Sequence, residues 1–250
     1  MTDPKLLPPD YRSRPDGLRL AYRHRAGVGP TVVFLPGYMS DMEGSKAIAL
    51  DTWAQERGQA ILRLDYSGNG ASEGRFSDGT LAIWRDDVLL LIDSLVEGPV
   101  LLVGSSMGGW LALLVAIARP TRTMGIVGIA AAPDFTEWGF TEADKALLQT
   151  EGRIEEPTPY GNQPYVTTRA FWESGQELRL LGQDIVIDCP VRLLQGQADP
   201  DVPWPMALTL ADRLRSSDVQ TVLIKDGDHR LSRDSDIALL VTTIASLLDA

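Results

Sequence analysis

Two hundred and fifty residues, 44% hydrophobic and 23% charged, are enough to bury a sizeable core as one large domain or two small ones. Twenty-three basic against 34 acidic residues leave a net charge of -11, whose field repels phosphate backbones and anionic lipid, so roles on nucleic acid or a membrane surface are not expected. The longest apolar runs, such as 125–133, stop short of the roughly 18 residues a membrane span needs, and one cysteine (Cys189) with two histidines offers neither an intramolecular disulfide nor a structural zinc site.

The opening MTDPKLLPPDYRSRPDG mixes Asp3, Asp10 and Asp16 with prolines and reads as no targeting segment, so a reducing, cytoplasmic setting is expected. Residues 18–25 (LRLAYRHR) then alternate like an edge strand. A strand over 31–36 (TVVFLP) leads to a helix over 45–57 stopped by Gly58; a strand over 59–66 leads to a helix over 78–97 stopped by Gly98. A strand over 100–105 runs straight into a helix over 107–118, stopped by Arg119-Pro120, and a strand over 124–133 follows. The chain closes with a strand over 191–197, a helix over 202–215, a strand over 219–227 and a helix over 234–248. Strands alternating with crossover helices predict an α/β fold with a largely parallel sheet. One segment breaks the alternation: 134–184 is rich in Glu, Gly and Pro and shows no clean strand. It carries Trp138, Phe140, Tyr160, Tyr165, Phe171 and Trp172, more aromatics than a disordered segment keeps, so it reads as a lid inserted into one domain of 1–250.

The sharpest chemical signal is VLLVGSSMGGW, an apolar strand entering Gly104-Ser105-Ser106-Met107-Gly108 and then a helix. This is G-x-S-x-G in its required context, with Ser106 lifted out of the sheet as a nucleophile and the glycines removing side chains that would clash where strand and helix cross. A serine nucleophile needs a base. In this arrangement the acid and then the histidine follow the serine, which leaves His229, in DGDHRLSRD after the last strand, while His24 lies in a polar strand. The loop after 191–197 supplies Asp199 and Asp201. Asp199 comes first and is the expected acid, whereas Asp201 stands just before the helix, where a carboxylate serves its N-terminus. The oxyanion donors are expected to be the backbone NH groups of Met107 and of Tyr38, the latter in FLPGYMSDMEG. Asp65, in LDYSGNGASEG, is read as structural.

With these residues in order, the chain resembles the α/β-hydrolase superfamily over nearly its whole length. PGYMSDMEGSKA, LDYSGNGASEG, GSSMGGWLALLVAIARP, DVPWPMALTLADRL and DHRLSRDSDIALL are similar to the abhydrolase branch that includes a mitochondrial acyl-protein thioesterase, also described as an acyl-glucuronide esterase. The resemblance implies a serine hydrolase of carboxylic esters or acyl thioesters, with Ser106, Asp199 and His229 as its triad. Its partner would be a small-molecule ester or thioester, or an acylated protein, with no cofactor, no metal and no stable membrane association. An aminopeptidase or carbon–carbon hydrolase on the same fold stays open, since Glu151, Glu155, Glu156, Glu173 and Glu177 could supply a carboxylate for a substrate ammonium. A non-catalytic receptor is the remaining alternative. Serine at 106, where a dehalogenase or epoxide hydrolase carries aspartate, excludes those two.

Overall fold

The computed structural model describes residues 8–157 and 164–249. In chain order, the strands are β1 (Asp10–Ser13), β2 (Arg19–Arg25), β3 (Val28–Leu35), β4 (Gln59–Leu64), β5 (Val100–Ser105), β6 (Thr123–Ile129), β7 (Arg153–Glu156), β8 (Tyr165–Thr168), β9 (Val191–Gly196) and β10 (Val219–Ile224). The helices are α1 (Ser45–Arg57), α2 (Leu81–Leu95), α3 (Met107–Ala118), α4 (Phe135–Trp138), α5 (Glu142–Glu151), α6 (Arg169–Glu177), α7 (Pro205–Arg213) and α8 (Asp234–Leu248). Eight strands form one sheet in the order β1-β2-β4-β3-β5-β6-β9-β10, parallel from β4 onward, with β2 antiparallel to both of its neighbours.

The two-residue period of the strands sorts their side chains between two helical layers. Val32, Phe34, Leu101 and Val103 face α1 and α8, whose Ala47, Leu50, Leu240 and Ile244 close that side. Val33, Leu35, Val100 and Leu102 face α2, α3 and α7, where Trp84 and Trp110 are buried. Helix α3 is apolar almost all round because it is covered on nearly every side. No helix among the described residues is long and apolar enough to cross a membrane.

Helices α1, α3 and α8 span the expected residues. Helix α2 starts at Leu81 instead of 78, because Thr80 caps it by accepting the Ile83 NH at 3.2 Å, and Phe76–Asp78 form a separate 3-10 turn. Residues 18–25 are not an edge strand. The segment before them folds back as β1, pairing Asp10 with Tyr22 and Ser13 with Arg19, through a turn closed by Gly17 NH to the Arg14 carbonyl. The expectation of no strand in 134–184 is also corrected: β7 and β8 form an antiparallel ribbon running from Arg153↔Thr168 to Glu156↔Tyr165. Four-residue strands whose side chains are mostly outside the core carry little periodic signal, and here backbone pairing defines them.

Candidate active site

Ser106 has φ 55° and ψ -119°, a conformation that costs a non-glycine residue on the order of 1–3 kcal/mol and persists only when its surroundings impose it. They do: Ser106 NH donates to the Ile129 carbonyl at 2.8 Å, and its own carbonyl accepts from Gly109 NH at 2.9 Å and Ala132 NH at 3.1 Å. The turn closes only over glycine. A Cβ on Gly104 would lie 2.1 Å from the Gly108 carbonyl oxygen, and one on Gly108 would lie 2.1 Å from that of Leu35. Ser106 is thus held half-exposed at the sheet's C-terminal edge. Met107, the first residue of α3, has an NH with no partner inside the helix and stands at the positive end of its dipole.

Asp199 and His229 meet because β9 and β10 are parallel neighbours, with Gly196 paired to Ile224. Their loops then cross closely, Ala198 NH donating to the Gly227 carbonyl at 2.9 Å, and a Cβ on Gly196 would lie 2.2 Å from that carbonyl oxygen. His229 Nδ1 lies 2.9 Å from Asp199 Oδ2, and the side chains are 15% and 0% exposed respectively. Asp199 Oδ2 also accepts from Gln195 Nε2 at 3.1 Å, while Oδ1 accepts from the NH groups of Asp201 and Val202 at 2.8 and 2.9 Å. Burial pushes this carboxyl up, but the His229 hydrogen bond and charge, with the two backbone donors, outweigh it and hold it below the usual carboxylate range.

Asp201 is exposed and lines the cavity beside His229, and α7 begins four residues later at Pro205 with Trp204 at its N-cap. Gln195 is a partner that sequence reasoning missed. Its signal was a polar residue at a strand position whose neighbours, Leu193 and Leu194, are buried. Asp199, Asp201 and His229 offer ligand atoms within 4.8 Å of one another, yet Asp199 already accepts four hydrogen bonds. His24 is exposed on β2, far from this edge in sheet order.

Ser106 and His229 line one cavity of about 660 Å³. The loop after β3 forms its floor: a Cβ on Gly37 would lie 3.3 Å from the Ser105 carbonyl oxygen, so the Tyr38 backbone passes beside the elbow. The insertion supplies an aromatic wall of Phe135, Trp138, Phe140 and Tyr165. Two of the expected aromatics are support instead of wall, Phe171 buried against Tyr38 and Trp84 and Trp172 donating from Nε1 to the Thr136 carbonyl at 3.0 Å; Tyr160 lies outside the described residues. Opposite, Lys46 Nζ donates to the Arg230 carbonyl, joining α1 to the histidine loop. Burial and the Arg230 charge push this amine down to about 8 against the pull of Asp228 and Asp236.

The loops at this edge are tied to the end of β4. Met42 NH donates to Asp65 Oδ1 at 2.7 Å and Ala71 NH to Oδ2 at 2.8 Å, while the buried Tyr66 hydroxyl donates to the Pro36 carbonyl at 2.9 Å. Burial pushes Asp65 up to about 6, against the two backbone donors.

Residues 32–242 match the model of the alpha/beta hydrolase family. The human protein named palmitoyl-protein thioesterase ABHD10, mitochondrial, is 41% identical over 243 residues, covering 96% of this chain and 79% of its own length. Among solved structures, mouse alpha/beta hydrolase domain-containing protein 10 superposes with a TM-score of 0.90 at 38% identity, covering 97% of this chain and 99% of that one. A putative hydrolase from Agrobacterium vitis S4 superposes at 0.89 and 39% identity, covering 96% and 99%. The expected cytoplasmic setting is overturned by these relatives, several of which, at about 41% identity, are named mitochondrial. Neither the unpaired cysteine, which indicates only a reducing compartment, nor the composition of the opening residues singles out the cytoplasm. With the family match spanning most of the sequence and the fold reproduced by relatives near 40% identity, the chain belongs to the alpha/beta hydrolase family and is a hydrolase.

Proposed function

We propose that the chain is one hydrolase domain, with 134–184 as its lid, that cleaves acyl thioesters or carboxylic esters through a Ser106–His229–Asp199 triad. The observation that carries this is the His229–Asp199 pair at 2.9 Å, opening on the same cavity as a serine held at positive φ. His229 takes the Ser106 proton on Nε2 while Asp199 holds the ring with its proton on Nδ1, and Ser106 Oγ attacks the acyl carbon. The NH groups of Met107 and Tyr38 bind the oxyanion. The leaving thiol or alcohol takes the proton from His229, and water activated by the same ring then cleaves the acyl-enzyme.

The cavity and the relatives support the substrate class. An aromatic wall of Phe135, Trp138, Phe140 and Tyr165 suits an apolar acyl chain, and the relatives' name, palmitoyl-protein thioesterase, supports an acylated protein or a small acyl thioester as donor. A net charge of -11 disfavours nucleic acid as a partner. Glu156 also lines the cavity, which is what the aminopeptidase alternative would need for a substrate ammonium.

The test is fluorophosphonate labelling with Ser106→Ala as control, followed by kcat/KM for esters and thioesters of rising chain length beside an aminoacyl arylamide. Labelling and hydrolysis should vanish in the variant, a loss on the order of a millionfold, and kcat/KM should climb with chain length. An active Ser106→Ala protein would refute the nucleophile. Faster cleavage of the arylamide would favour the aminopeptidase.

A further inference from the structure

A residue that contributes only its backbone NH could carry almost any side chain, yet the Tyr38 side chain is committed. Its hydroxyl donates to the Val166 carbonyl in β8 at 2.6 Å. Its ring meets Phe76 and Trp84 from the main domain, and Phe135, Tyr165 and Phe171 from the insertion, with centroids 4.9–6.1 Å away. Burial pushes the phenol's pKa well up, so it remains a donor. The base of the insertion is tied down separately: Asp134 accepts from the NH groups of Leu180 and Leu181, both at 2.8 Å, and Ala82 NH donates to Ser174 Oγ at 3.1 Å. The phenol therefore joins the β7–β8 ribbon to the loop beside Ser106.

We propose that Tyr38 is a positioning residue whose hydroxyl couples the seating of the β7–β8 ribbon to the placement of its own NH in the oxyanion hole. This rests on the reading of that NH as an oxyanion donor. Backbone and phenol belong to one residue held on both sides by packed rings, so a shift of β8 reaches the NH through a single side chain. The coupling is reciprocal: an occupied hole should steady the ribbon just as a seated ribbon steadies the hole.

The test is Tyr38→Phe, which keeps the ring and the NH and removes the hydroxyl that donates to Val166. With p-nitrophenyl acetate, whose acyl group is too short to use the aromatic wall, kcat should fall about threefold to tenfold at nearly constant KM, the effect of one neutral hydrogen bond. A long-chain ester should lose the same factor. A short-alkyl fluorophosphonate, whose phosphoryl oxygen fills the hole, should slow hydrogen exchange in 153–156 and 165–168 of the native protein and not of the Phe variant. Unchanged acetate turnover with a loss confined to long chains would make the phenol acyl wall alone and overturn the coupling, as would an equal ribbon response in both proteins. Failure of the native protein to label at all would instead overturn the serine reading beneath it.

Discussion

Replacing Asp199 with asparagine tests the proposed triad sharply, because the geometry dictates how the amide must sit. Oδ1 accepts two backbone NH groups, from Asp201 at 2.8 Å and Val202 at 2.9 Å, while Oδ2 faces His229 Nδ1 at 2.9 Å. If the amide NH2 took the Oδ1 place it would oppose both backbone donors, leaving each unsatisfied at roughly 1–3 kcal/mol. The amide oxygen therefore stays there and the NH2 turns to His229. Gln195 Nε2 loses Asp199 as an acceptor but keeps the carbonyls of Gly196 and Val202 at 3.1 and 3.2 Å. Facing an NH2, His229 Nδ1 must accept, so the ring proton moves to Nε2 and the ring no longer takes the Ser106 proton. The expected loss in kcat is about ten-thousandfold, or roughly 5.5 kcal/mol, with stability changed by only about 1–2 kcal/mol. Asp201→Asn keeps the backbone NH that serves Asp199 and should lose less than about tenfold. The assay is steady-state hydrolysis of a p-nitrophenyl ester beside the fluorophosphonate labelling rate, with a urea midpoint on each variant. A folded Asp199→Asn protein retaining a tenth of native activity, or an Asp201→Asn protein equally impaired, would refute the assignment.

Two further outcomes are expected. Gly104→Ala sets a methyl against the Gly108 carbonyl oxygen at 2.1 Å, and because backbone cannot swing aside the cost should reach about 3 kcal/mol or more in urea unfolding; less than about 1 kcal/mol would mean that the elbow is loosely packed. Asp65 is pushed up to about 6, so the stability it contributes is full below the ordinary carboxylate pKa and is lost as pH rises through about 6. The difference in unfolding free energy between native protein and Asp65→Asn should therefore shift against the native protein by up to roughly 3 kcal/mol from pH 4 to pH 7 and level off above; a pH-independent difference would show that the carboxyl titrates normally.

Much was legible because its physics is local. The α/β alternation follows from apolar runs of strand length set between amphipathic runs. Gly58 and Arg119-Pro120 mark the ends of α1 and α3 to the residue, because helix stops are written in one or two side chains. The elbow too is a five-residue pattern whose glycines have one steric purpose, and the order Ser106, Asp199, His229 was readable as order. Pairing was not. That β1 covers the edge of β2, and that β7 and β8 form a ribbon, depend on which backbone groups meet, and short strands with exposed side chains leave no periodic trace of it.

Sequence order favours Asp199 over Asp201, and the tertiary structure adds the contacts of each. Both are aspartates in one loop, and what separates them is that the β9–β10 register and the Gly196–Gly227 crossing aim one carboxylate at His229 Nδ1 and leave the other exposed. The same holds for the aromatics of 134–184, which composition treats alike. Packing divides them into cavity wall and internal support, and it gives the Tyr38 phenol a partner 128 positions away, at a distance along the chain where no local pattern reaches.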